Sequence, residues 1–272
     1  MPGGFPIPPD LCNGRSYGVS QIAFTYGGTG VQPSATANTK GSWTQLTAAT
    51  VGDTVELWVF ITGQASTAWY TQLVDIGIGP AGSEVLIASN LLYAITGQFA
   101  QAGALYRLPI EIPSGTRIAA RSQCNAASVG SEMNVSLRCF DGGFASTGYC
   151  GVDDIGTNLT TTTGTTVSAG NGTKGAYSQL TAATARDYAG FYVALDSTTA
   201  AHTDHFNVDV AIGPSGSEFV ILPDCAFHAG LLPVVWGPFM VGAPAGTRIA
   251  ARAAALSGAA STAGITVHGI IR

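Results

Sequence analysis

The nine-residue phrase PSGTRIAAR at Pro113–Arg121 returns as PAGTRIAAR at Pro244–Arg252. The two-residue period of an extended strand sets Arg117, Ala119 and Arg121 on one face and Ile118 and Ala120 on the other. Arg248 and Arg252 repeat the pattern. A second recurring stretch, DIGIGPAGSE at Asp75–Glu84 and DVAIGPSGSE at Asp209–Glu218, carries one aspartate per copy on the face away from its alternating apolar residues. Asp75 and Asp209 are therefore expected to point outward on their strands, as are the four arginines. Carboxylate and guanidinium can pair across strands, fixing register at roughly 0.2 to 1 kcal/mol per pair. Alternatively, Arg117, Arg121, Arg248 and Arg252 form a binding or subunit-contact surface, because the planar guanidinium favours bidentate and stacked contacts. A catalytic role for these carboxylates is not expected.

The remaining reactive residues form no machinery. All four histidines, His202, His205, His228 and His268, fall in the second half of the chain, and HTDH at His202–His205 is their one cluster. Residues three apart in a strand face opposite ways, so one metal ion would not collect both imidazoles. There is no GxSxG nucleophile elbow. Gly27–Gly28–Thr29–Gly30 lacks the following lysine of a phosphate cradle. No catalytic residue, metal or cofactor is expected. Trp58 and Tyr192 stand at matching places on the outward side of their strands and are candidate surface aromatics, suited to stacking on a sugar or filling a subunit interface. Trp43 and Tyr177 match each other in the same way.

Elements must position these residues, and composition says which kind. Charged residues are 10% of the chain, hydrophobic ones 46%, and there are 36 glycines. Lysine occurs only at Lys40 and Lys174. Such a Thr/Gly/Ala-rich, low-charge surface suits β-structure with many turns and burial against neighbouring subunits. The net charge of −5 leaves no basic stripe for phosphate, which excludes a nucleic-acid partner. No apolar run reaches about 18 residues, and the start MPGGFPIPPD lacks a signal-peptide pattern, so no membrane partner is expected. Five cysteines without CxxC spacing suit a reducing compartment.

The chain reads as two copies of one unit. KGSWTQLTAAT at Lys40–Thr50 returns as KGAYSQLTAAT at Lys174–Thr184, and MNVSLRCF at Met133–Phe140 is answered by ITVHGIIR at Ile265–Arg272. YGVS at Tyr17–Ser20 resembles CGVD at Cys150–Asp153. These matches give an N-terminal arm at 1–15, a first repeat at 16–140, a linker at 141–148 and a second repeat at 149–272. In Thr54–Ile61, Val55, Leu57, Val59 and Ile61 alternate with Glu56, Trp58 and Phe60, and Ala189, Phe191, Val193 and Leu195 answer them. Short alternating strands between Gly/Pro turns predict an all-β protein. Its expected form is two tandem, homologous, jelly-roll-like β-sandwich domains behind an extended Pro-rich arm.

The pairing of DIGIGPAGSE with a following IPSGTRIAAR, in units without chemistry, resembles virion structural proteins of tailed bacteriophages. The resemblance spans both repeats and implies a capsid decoration, head-fibre or tail-fibre subunit, located in the virion and assembled in the host cytoplasm. It implies other virion proteins as partners and a homo-oligomer, with a trimer favoured. The alternative is a glycan-binding receptor module of the tail, using Trp58, Tyr192, Trp69 or His202–His205 on a host surface glycan.

Overall fold

The computed structural model describes residues 15–18, 30–63, 70–95, 103–126, 133–141, 148–197, 205–228, 234–256 and 261–272. Every regular element among them is a strand. The N-terminal half holds β1 (Arg15–Gly18), β2 (Thr44–Thr47), β3 (Thr54–Gly63), β4 (Tyr70–Ile78), β5 (Val85–Ile95), β6 (Ala104–Leu108), β7 (Ile118–Cys124) and β8 (Met133–Asp141). The C-terminal half holds β9 (Gly151–Ile155), β10 (Thr157–Asn158), β11 (Thr163–Asn171), β12 (Ser178–Thr181), β13 (Tyr188–Ser197), β14 (His205–Ile212), β15 (Phe219–His228), β16 (Val234–Phe239), β17 (Ile249–Ala255) and β18 (Thr262–Ile271).

In the N-terminal half the pairing is nested. β1 pairs with β8, β2 with β7, β3 with β6 and β4 with β5, all antiparallel. A long hairpin wound over itself in this way gives two facing sheets, β1-β8-β3-β6 and β5-β4-β7-β2, which is the jelly-roll arrangement. The C-terminal half repeats it through β9·β18, β12·β17, β13·β16 and β14·β15. There β11 adds a bridge, antiparallel to β18 and parallel to β17.

The alternation in the sequence builds the cores. Leu57, Val59, Ile61, Val74, Ile76, Ile118 and Ala120 pack into one buried cluster. Phe191, Val193, Leu195, Val208, Val210, Ile249 and Ala251 pack into the other. Arg15, expected in the arm, opens β1 opposite Cys139. One repeat alignment is corrected by the ladders. Trp58 faces Arg138 on β8, while its counterpart Tyr192 faces His268 on β18. Arg138 therefore corresponds to His268, two residues from the alignment read in the sequence. The apolar alternation of both strands allows either register, and only the partner strand decides it. The same ladders equate Tyr17 with Ile155 rather than with Cys150.

The halves are joined by packing as well as by chain. β5 runs parallel to β9 at Ala88 and Val152. The outer face of β13 and β18 lies over the side of the N-terminal sandwich where β5 and β6 run. Ala189, Tyr192 and Ile270 belong to the N-terminal core cluster, and Ala194 packs with Leu73 and Leu92.

Candidate functional site

The repeated charges converge on two equivalent clusters, one per half. In the first, Asp75 accepts from Lys40 Nζ at 2.8 Å and from the Asn90 amide at 2.9 Å on Oδ1, and from Arg121 Nε at 2.8 Å on Oδ2. Arg121 in turn lies over the Trp43 ring, 4.6 Å from its centroid. In the second, Asp209 accepts from Lys174 at 2.6 Å, the Asp224 amide at 2.9 Å and Arg252 at 2.9 Å. Arg252 lies 4.7 Å over Tyr177.

Local backbone makes this possible. β5 bulges opposite Asp75, the ladder shifting between Val74 and Ile76, and β15 does the same opposite Asp209. The bulged residues Asn90 and Asp224 take positive φ, 49° and 50°. Asn and Asp adopt this left-handed region more readily than most residues. The consequence is an amide turned out of the ladder and onto a carboxylate.

Arg117 and Arg248 serve a separate pair of contacts. Arg117 Nη1 donates to Glu84 Oε1 at 2.9 Å and to the Gly79 carbonyl, while its Nε donates to Gln45. Arg248 donates likewise to Glu218 at 3.1 Å, to Gly213 and to Gln179. Each glutamate also accepts from a glycine amide of its own PxGSE turn, Gly82 or Gly216. The arginine thus ties that turn to the edge strand.

The expectation that Asp75 and Asp209 point outward needs correction. They leave the core side of the strand, but they are buried, at 2% and 4% exposure. The stems of Lys40 and Arg121, with Trp43 above, cover Asp75, and long cationic side chains often cover a face in this way. Burial pushes the Lys40 ammonium below its ordinary value, even with Asp75 beside it. For Asp209, burial alone would raise the carboxyl, but the Asp224 amide, Lys174 and Arg252 outweigh it and hold the group below the usual carboxylate range. Sequence reasoning missed Lys40, Lys174 and the two bulge amides. The lysines left a signal: both lysines of the chain occupy equivalent places in the repeat.

Of the two surface aromatics, Tyr192 needs correction. Tyr192 is 1% exposed, because the face of β13 that carries it is covered by the N-terminal half. Its hydroxyl donates to the Arg107 carbonyl and its ring meets Tyr106 edge-on. Trp58 is half-buried, with Arg107 stacked 4.4 Å over its ring and Phe140 at 4.7 Å. Trp69 and His202–Asp204 lie outside the described residues. His205 stands edge-on to His228 at 4.3 Å, and no group of metal-binding side chains forms among the described residues.

A further polar set lies between the halves. The Tyr106 hydroxyl donates to the Leu92 carbonyl and sits 3.5 Å from His268 Nε2. Asp196 Oδ1 accepts from Thr71 across the junction. Asp196 Oδ2 and His268 Nδ1 have no hydrogen-bond partner among the described residues. Burial pushes the Asp196 carboxyl up to about 7 and the His268 imidazole down to about 4.

No protein-family model and no curated protein matches the chain. Solved structures resemble it in fold. PNGF-II gives a TM-score of 0.42 at 11% identity, covering 94% of this chain and 64% of that one, so this chain spans under two thirds of its length. The STIV MCP gives 0.39 at 9% identity, over 94% of this chain and 96% of that one. A Broad Bean Stain Virus structure gives 0.32 at 8% identity, over 92% and 93%.

Proposed function

We propose that the chain is a non-enzymatic structural subunit of a virus particle, an accessory protein of a tailed bacteriophage that decorates the head or builds a fibre. It consists of two tandem jelly-roll units, 15–141 and 149–272, behind an arm at 1–14 that anchors it to other virion proteins. It assembles as a homo-oligomer, with a trimer expected. The observation that carries this reading is the closure of the repeated charges. Asp75, Arg117, Arg121 and Lys40, with their counterparts Asp209, Arg248, Arg252 and Lys174, make their contacts within their own half. They brace strands and turns, and what faces outward is a low-charge surface bearing large apolar side chains such as Phe60, Val85, Phe219 and Trp236. Such surfaces are suited to being covered by neighbours. The bacteriophage assignment itself rests on the resemblance of the repeated motifs.

The test is incorporation. A tagged chain expressed during infection is expected to co-sediment with purified particles and to appear at fixed positions in their electron-microscopic images. Removal of 1–14, which leaves β1 whole, is expected to abolish loading while leaving the soluble protein folded. Particles free of the tagged chain overturn the structural role; full loading of the truncated chain overturns the anchor.

A further inference from the structure

The ladders allow the two halves to be compared position by position, and one comparison shows a contact made once with the surfaces for a second. Within the chain, the outer face of β13, β16 and β18 in the C-terminal half covers the β5–β6 side of the N-terminal half. The equivalent outer face in the N-terminal half, on β3, β6 and β8, carries Trp58, Phe60 and Leu105. Phe60 and Leu105 pair directly and are 44% and 36% exposed, whereas their counterparts Ala194 and Val235 pack against Leu73 and Leu92.

The side that receives such a face is also duplicated. In the N-terminal half, Tyr106 on β6 reaches across to the Leu92 carbonyl of β5, under Tyr192 and His268. In the C-terminal half, Trp236 on β16 reaches across to the Ala226 carbonyl of β15 in the same manner, its Nε1 donating at 3.0 Å. Ala226 faces Asn207 in the ladder as Leu92 faces Leu73. Tyr106 is fully buried, and Trp236 is 43% exposed.

Side-chain sizes are exchanged between the two surfaces. The internal contact sets a small residue, Ala194, against two large ones, Leu73 and Leu92. The outer surfaces offer a large residue, Phe60, and two smaller ones, Asn207 and Ala226. A contact of the same geometry would hold about the same packed volume, which is the condition under which apolar substitution is tolerated.

We propose that the Trp58, Phe60 and Leu105 face seats on the β15–β16 side of a second copy of this chain, around Ala226 and Trp236, repeating between chains the contact made within one. The patches differ, so the interface is heterologous and each added copy leaves one of each patch for the next, giving a ring or a filament. The inference deepens the structural-subunit reading by naming the surfaces through which copies meet.

The test is complementation in solution, followed by light scattering and native mass spectrometry. The full chain is expected to be oligomeric. Phe60→Glu and Ala226→Arg each remove one patch and are each expected to yield monomers. Mixed together, they are expected to form a one-to-one dimer, because each supplies the patch the other lacks; that recovery also shows both variants are folded. A monomeric full chain, oligomers that survive either substitution, or a mixture that stays monomeric overturns the inference. So does a chain lacking 1–14 that oligomerises when the full chain does not, since the face would then belong to the arm. Loading onto particles is read separately. A monomer that loads overturns this interface alone, and an oligomer absent from particles overturns the structural role alone.

Discussion

Asp75 and Asp209 each gather two cations and a backbone amide onto one buried carboxylate, and the energetic weight of the cluster falls on that group. Replacing Asp75 by Asn keeps the shape but leaves Lys40 and Arg121 without their counter-charge. Removing one partner of a buried pair costs roughly 3 to 5 kcal/mol, and the partial exposure of both cations moves the expected loss to about 3 kcal/mol or less. Denaturant unfolding of Asp75→Asn measures it; a loss below about 0.5 kcal/mol would mean the cluster is a surface pair only. The neighbouring Gly77 carries a second prediction. A Cβ there would stand 2.8 Å from the Trp43 ring, whereas the matching positions of the other half hold Ala211 and Tyr177. Gly77→Ala is expected to destabilise by about 1 to 3 kcal/mol, and Trp43→Tyr in the same chain to recover most of it. Additive losses in the double variant would show that the two sites are not coupled. The sequence made the repeated charges legible, but strand alternation assigns faces without saying what lies on them. Lys40 reaches Asp75 across 35 positions, a contact that no local pattern encodes.

At the scale of elements, the strands and turns were legible because their signals are local: two-residue alternation, and glycines at turn positions such as Gly82 and Gly216 with φ of 81° and 83°. Pairing was not, because β1 meets β8 and β2 meets β7 across most of a half. The shifted alignment of β8 with β18 shows the limit. A shift of two residues leaves every side chain on the same face, so the partners on β3 and β13 decide the register. The bulges were hidden as well, since Asn90 sits within an apparently regular run, SNLLYAI. Their role can be tested there. Asn90→Gly accepts the left-handed backbone and is expected to change stability by less than about 1 kcal/mol, whereas Asn90→Val is expected to cost about 1 to 3 kcal/mol. Equal effects of the two in thermal unfolding would mean that the positive φ does not hold the amide on Asp75.

At the scale of the whole molecule, the junction between the halves buries two titratable groups with opposite consequences. Asp196 is raised from 3.8 to about 7 by burial, so the native state binds the extra proton, and its contribution falls as pH rises through that interval. His268 is lowered from 6.5 to about 4, again by burial, against the pull of Asp154, so its contribution rises with pH between those values. Each slope is about 1.4 kcal/mol per pH unit, and across pH 4 to 6.5 they oppose each other. The unsubstituted protein is therefore expected to show little net dependence from this pair in that window. Asp196→Asn removes the falling limb, leaving stability that climbs by on the order of 3 kcal/mol across it. His268→Gln removes the rising limb and leaves a decline of similar size. Asp209 does not obscure the comparison: its carboxyl is held below the usual range, so its contribution is lost only as pH falls further, through its native value. Denaturant unfolding of the three proteins across the window reads the slopes directly. Parallel curves would show that neither group titrates inside the junction; diverging ones would mark the contact between the halves as the pH-sensitive part of the fold.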